Sequence, residues 1–101
     1  MEHIRQPISI LFEDELVTEL FSQLLEAVGE KTQILADLSE LNSTSKIVTE
    51  PQYFAQIEKS LHDQCLIVGN KEVLKGIPAL SLSRPLTEEK IEEALASFLA
   101  R

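Results

Sequence analysis

The stretch Ile8 to Leu25, ISILFEDELVTELFSQLL, changes its hydrophobic period in the middle, and that change limits the folds open to the chain. Ile8 to Phe12 is apolar at every position except Ser9. A short run without alternation suits a strand covered on both faces, as in a parallel sheet. Glu13 and Asp14 end it. From Glu15 onward Leu16, Leu20, Phe21, Leu24, Leu25 and Val28 recur at helical spacing as one wide stripe, while Glu19, Gln23 and Glu26 fall on the other side. Asp14 is placed to cap this helix and Gly29 to stop it.

The same strand-then-helix rhythm continues. Thr32 to Ala36 reads as a second strand and Asp37 to Ser45 as a polar connection. Lys46 to Thr49 reads as a third strand, ended by Glu50. Pro51 suits the first turn of a helix, and Tyr53, Phe54, Ile57 and Leu61 give it an apolar stripe that closes near Asp63. Cys65 to Val68 is a fourth strand, cut by Gly69-Asn70. Lys71 to Lys75 has room for a short helix only. Ala79 to Leu82 is a fifth strand. Thr87 caps a last helix, Glu88 and Glu89 suit its positive end, and Ile91, Ala94, Leu95, Phe98 and Leu99 form its inner face. Strands alternating with helices predict an α/β protein: a five-stranded parallel sheet in three layers, with right-handed crossovers and shortened second and fourth helices. Its 101 residues fit a single domain.

Composition removes several function classes. The net charge is −8, and the nine basic residues are scattered, which argues against nucleic acid as a partner. No apolar run approaches the roughly 18–20 residues of a membrane span. Met1 to Gln6 lacks the apolar core of a signal peptide, so no membrane association and a cytoplasmic location are expected. Cys65 is the one cysteine, which excludes an internal disulfide, and its apolar setting predicts a buried inert thiol. His3 and His62 stand apart from each other and are expected at the surface. No Cys/His metal spacing and no glycine-rich phosphate loop occur. Tyr53 and Phe54 open a helix and are expected in core and rim, not as a base-stacking platform.

In open α/β sheets, ligands gather at the carboxyl ends of the strands. Here those ends carry Glu13-Asp14, Glu50, Gly69-Asn70 and Ser83-Arg84. Each has a plain structural reading: Asp14 as a helix cap, Glu13 and Glu50 as solvated acids, Gly69-Asn70 as a turn, and Arg84 as the ion-pair partner of Glu50, Glu13 or Asp14.

The chain also resembles a response-regulator receiver domain, a flavodoxin-like fold. ILFEDE followed by LVTELFSQLLEAVG is similar to the first strand, acidic pair and first helix of a receiver. LSRPLTEEKIEEALASFL is similar to its last strand and helix, with Arg84 at the position of the family's lysine. The resemblance puts Glu50, or Thr49 with the alignment shifted by one, at the phospho-acceptor aspartate, and Gly69 at the Ser/Thr switch position. It implies that Glu13 and Asp14, with Glu50, correspond to the family's Mg²⁺ ligands. Glu50 is one methylene longer than aspartate, Gly69 has no hydroxyl, and the guanidinium of Arg84 is not the point charge of an ammonium. The implied function is therefore that of a stand-alone degenerate receiver, not an enzyme. It docks to a histidine kinase, another receiver or a second copy of itself, without aspartate phosphorylation. Two docking surfaces follow from the resemblance: the first helix, and the face of the last short helix, last strand and last helix, with Ser81, Ser83, Glu89, Glu92 and Glu93 on its polar side. A phosphorylatable Mg²⁺-dependent receiver is the alternative. VTEP followed by a helix, and PAL in a later strand, are also similar to the flavodoxin-like stalk subunit of rotary ATPases, which the acid pair and SRP fit less well. A flavin- or nucleotide-binding enzyme lacks its phosphate-cradling loop here.

Overall fold

The computed structural model describes residues 7–41, 46–77, 79–84 and 86–100. Five strands, β1 (Ile8–Leu11), β2 (Thr32–Ile34), β3 (Ile47–Thr49), β4 (Cys65–Gly69) and β5 (Leu80–Ser83), form one all-parallel sheet in the order β2-β1-β3-β4-β5. Among the described residues, α1 (Glu15–Ala27), α2 (Pro51–Phe54) and α3 (Lys71–Leu74) lie between strands, and α4 (Glu88–Leu99) follows the last one. The architecture is a three-layer α/β sandwich of the flavodoxin-like type, with the chain turning from one side of β1 to the other between β2 and β3. None of the described helices is long and apolar enough to cross a membrane.

The three inner strands are buried on both faces, with Ser9 and Thr49 the polar residues among them, and the two covers differ. Ile8, Ile10, Val48, Leu66, Val68 and Leu82 meet the two long helices, through Val17, Phe21 and Leu25 of α1 and Ile91, Ala94, Leu95 and Phe98 of α4. Phe12, just past β1, stacks on Phe21 with ring centroids 5.6 Å apart. On the other face Ile47, Cys65 and Ile67 are covered by Phe54 and Ile57, with Leu38, Leu41, Leu61 and Leu74 around them. The first cover has three turns or more in each helix; the second is made of single turns.

Helix ends follow local chemistry. Asp14 Oδ1 accepts the Leu16 N–H at 2.8 Å, and Thr87 Oγ1 accepts that of Lys90 at 3.3 Å. Gly29 follows α1 with φ +89°, the left-handed conformation that a stop requires there. At the far end of α4, the Lys46 ammonium donates to the carbonyls of Phe98 at 2.9 Å and Leu99 at 3.1 Å and lies 5.5 Å from the Phe98 ring centre. A cation from β3's entry thus satisfies orphan carbonyls at the negative end of α4 and ties that helix to the sheet.

Four sequence expectations are corrected. The apolar stripe of α1 is narrower than its sequence: Leu16 is 76% and Val28 61% exposed, with Leu20 also at the surface, because the sheet reaches only the Val17–Phe21–Leu25 line. The helix expected from Pro51 to Asp63 ends at Phe54. Gln56 and Ile57 then donate to Tyr53 and Phe54, three residues back, and Glu58 is extended (ψ 142°) before a 3₁₀ segment at Lys59–Gln64. The cause lies in the tertiary contacts of Phe54, Ile57 and His62. The His62 ring sits 4.1 Å from that of Phe54, and its Nε2 donates to the Ile57 carbonyl at 3.1 Å, which folds the segment back on itself. His62 is accordingly half-buried, not a surface residue; His3 lies outside the described residues. The connection after β2 holds a 3₁₀ turn at Leu38–Glu40, capped by Asp37, whose Oδ1 accepts the Ser39 N–H at 2.7 Å. The Ser39 hydroxyl and this N–H hold the Asp37 carboxyl below the usual carboxylate range. The strand expected over Thr32–Ala36 is limited to Thr32–Ile34, and Asn42 to Ser45 lie outside the described residues.

Two outcomes follow. Replacing Lys46 by Met removes the carbonyl bonds but keeps much of the stem, and is expected to lower unfolding free energy by about 1–2 kcal/mol in urea titrations. Burial pushes the Cys65 thiol up to about 11 from an ordinary 9.0. The native protein at pH 8 is therefore expected to leave a disulfide reagent such as DTNB unreacted, while unfolded protein consumes one equivalent. Because the folded value is the higher one, this group's contribution to stability is complete below about pH 9 and is lost as pH rises toward about 11.

Candidate functional site

The carboxyl ends of β1, β3, β4 and β5 converge on one edge of the sheet, and each predicted residue is there. Their side chains do different work. Thr49, at the end of β3, is fully buried, and its hydroxyl donates to the Leu11 carbonyl at 2.7 Å across the β1–β3 seam. It is a strut between strands, with no lone pair facing solvent as a phosphoryl acceptor needs.

Glu50 follows, half-buried, in extended conformation (φ −106°, ψ 159°) at the start of α2. It makes no side-chain cap to its own helix. Its Oε2 instead accepts the backbone N–H of Glu13 at 2.7 Å. β1 and β3 are the two strands between which the chain reverses direction across the sheet, so their ends flank the crevice where this architecture binds ligands. The Glu50 carboxylate bridges that crevice. The longer side chain is what makes the reach, and the acid is neither a plain solvated strand end nor a free acceptor.

Glu13 and Asp14 are both exposed, but Asp14 spends one carboxylate oxygen on the α1 cap and its carbonyl on the Thr18 N–H and hydroxyl, at 3.1 and 3.0 Å. Among the described residues, no three Asp, Glu, His or Cys side chains are gathered as a cation site.

Gly69 ends β4 and is buried against the neighbouring loop. A Cβ there would stand 2.9 Å from Pro51 Cγ and 3.0 Å from Cδ. The plain turn reading of Gly69-Asn70 is therefore incomplete: the ring of Pro51 leaves no space for a side chain. Pro51 was legible in sequence as a first-turn helix residue, but its contact with Gly69 joins residues eighteen apart and has no local signal.

Arg84 is exposed and follows β5; its backbone N–H donates to the Gly69 carbonyl at 2.9 Å, extending the β4–β5 ladder by one step. Arg84 lines an open cleft of about 580 Å³ with Glu50, Gln52, Gly69, Asn70 and Val73. The ion pair expected with Glu13, Asp14 or Glu50 is not formed among the described residues. Beside it, Lys90 reaches the Ser83 carbonyl at 3.4 Å. On the neighbouring face Ser81, Ser83, Glu93 and Ser97 line a shallow polar depression of about 270 Å³.

No family model matches the chain, and a search of curated proteins finds no relative.

Substitutions at two positions test this geometry. Gly69→Ser restores the hydroxyl of a receiver's switch position but meets Pro51, and is expected to destabilise by about 1–3 kcal/mol in chemical denaturation. Glu50→Asp cannot reach Glu13 and is expected to lose about 1 kcal/mol, while Glu50→Gln keeps a carbonyl acceptor and loses less. The Glu13 amide proton should exchange faster in Glu50→Asp than in Glu50→Gln.

Proposed function

We propose that the protein is a stand-alone degenerate receiver-like domain that signals by docking to another protein, without phosphoryl transfer. The observation that supports this reading is the 2.7 Å bond from the Glu13 N–H to the Glu50 carboxylate. In a phosphorylatable receiver the acceptor carboxylate must be open to attack on a phosphodonor, with a metal beside it and a hydroxyl that moves to meet the product. Here the carboxylate at the corresponding strand end is held across the crevice by a backbone amide. The hydroxyl position is a glycine with no room for a larger residue. Thr49, the other acceptor position, is sealed inside the sheet. A negative charge fixed at this point resembles a permanently occupied site, so the domain is set in one state.

In this reading Arg84 balances charge at the rim of the cleft, and Glu13 and Asp14 keep a loop and a helix in place. The partner is a protein such as a histidine kinase or another receiver, and the setting is the cytoplasm.

The test is a Mg²⁺ titration followed by amide NMR, with beryllofluoride added last, and a parallel incubation with radiolabelled acetyl phosphate. The expected result is no saturable shift at Glu13, Asp14 or Glu50 up to about 1 mM metal, the upper range of weak oxygen-ligand sites, and no label incorporated. Shifts at those amides that grow with beryllofluoride, or stable label on the protein, would replace this reading by that of a working phospho-acceptor.

A further inference from the structure

We infer that the groove between α1 and α4 is the seat of a basic amphipathic helix from a partner protein. The inference rests on the reading of this domain as a docking module and names the chemistry of what docks.

The sheet uses only one edge of each long helix. Along the seam between them a groove of about 720 Å³ is left, floored by Leu24, Leu86, Ile91, Leu95 and Leu99. Leu20 and Val28 form its α1 wall, and both stand at the surface. Leu20, Leu24 and Val28 follow one another at four-residue spacing along the groove, a line of about 12 Å at 1.5 Å per residue. Val28 at 61% exposure is a large apolar side chain that the fold leaves in water. A row of this length beside α4 matches about two turns of a third helix laid into it, anchored through residues spaced i, i+3, i+4 and i+7.

The rim selects the sign of the partner. Glu88 and Glu92, one turn apart on α4, border the groove, and among the described residues no Lys or Arg lines it. The chain as a whole carries −8. A helix with an apolar stripe flanked by Lys and Arg complements this arrangement in both shape and charge. A second copy of the chain would bring its own Glu88 and Glu92 against these and add a like net charge. An anionic lipid surface is repelled by the same acids, and a fatty acid finds no cation for its head group among the lining residues.

The probe is an 18-residue model peptide with leucine on one helical face and lysine elsewhere, compared with its glutamate-for-lysine counterpart, in amide NMR titrations of the intact chain. The lysine peptide is expected to shift amides of α1 and α4 around Leu20, Val28 and Leu99, and the glutamate peptide to shift none. Leu20→Ser with Val28→Ser changes exposed side chains only, so the thermal melt should hold while affinity for the lysine peptide falls at least tenfold. Glu92→Lys should weaken the lysine peptide and admit the glutamate one. Shifts confined to residues away from the groove, or affinity unchanged in both variants, would overturn the inference. A concentration-dependent dimer abolished by Leu20→Ser with Val28→Ser would assign the groove to a second copy instead, and phosphatidylglycerol vesicle binding abolished by the same pair would assign it to lipid; either overturns it. The groove amides and the strand-end amides of Glu13 and Glu50 are separate reporters, so failure here and failure of the receiver-like reading are told apart in the same spectra.

Discussion

Burial of β1, β3 and β4 on both faces is the constraint on which the rest of this structure depends. Ile10, Val48 and Leu66 look toward one cover and Ile47, Cys65 and Ile67 toward the other. A strand in that position can leave no backbone group unpaired and no face bare, so both covers must exist even in a chain of 101 residues. The chain meets the demand unequally. Its long helical segments go to one face, and the other is closed by single turns whose large side chains, Phe54 and Ile57, do the covering that a full helix would do. This economy explains why the segment after Pro51 is not a continuous helix despite its helical stripe. Fitting Phe54, Ile57 and His62 over two short strands matters more than continuing the i→i+4 ladder.

The same inequality shapes the site and the groove. A short connection after β3 brings Pro51 over Gly69 and swings the Glu50 side chain toward β1. The crevice at the sheet's reversal point is thereby bridged from within. On the opposite face the helices are long enough to extend beyond what the sheet buries, and the surplus apolar residues of α1 remain at the surface beside α4. The carboxylate bridge at one end and the exposed apolar row on one side both follow from how helix length was divided between the two faces.

Much of the fold was legible in sequence because the signals were local. The apolar run Ile8–Leu11, interrupted only by Ser9, the Asp14 and Thr87 caps, the Gly29 stop and the brevity of Lys71–Leu74 each depend on residues within a few positions of one another. The positions of Glu13, Glu50, Gly69 and Arg84 at one sheet edge were legible too, since strand order places strand ends together. Their roles were not. That Glu50 accepts a bond from Glu13, that Thr49 spends its hydroxyl on Leu11, and that Arg84 forms no ion pair with the acids beside it are facts about residues far apart in the chain. Spacing does not encode which oxygen a given amide meets.

The sequence by itself determined the alternation of strands and helices, and hence a parallel α/β sheet, because hydrophobic period and caps act over a single turn or strand. It determined the acidity of one edge and the absence of clustered base. Only the tertiary structure decided which part of the α1 stripe is core and which is surface, since Leu16, Leu20 and Leu24 have the same spacing as Val17, Phe21 and Leu25 and differ only in whether the sheet reaches them. It decided that Gly69 is required by the Pro51 ring. It also decided that Lys46 belongs to the end of α4. The physical reason is the same in each case: local pattern sets conformation and polarity, but contact depends on where the twisted sheet brings distant residues together.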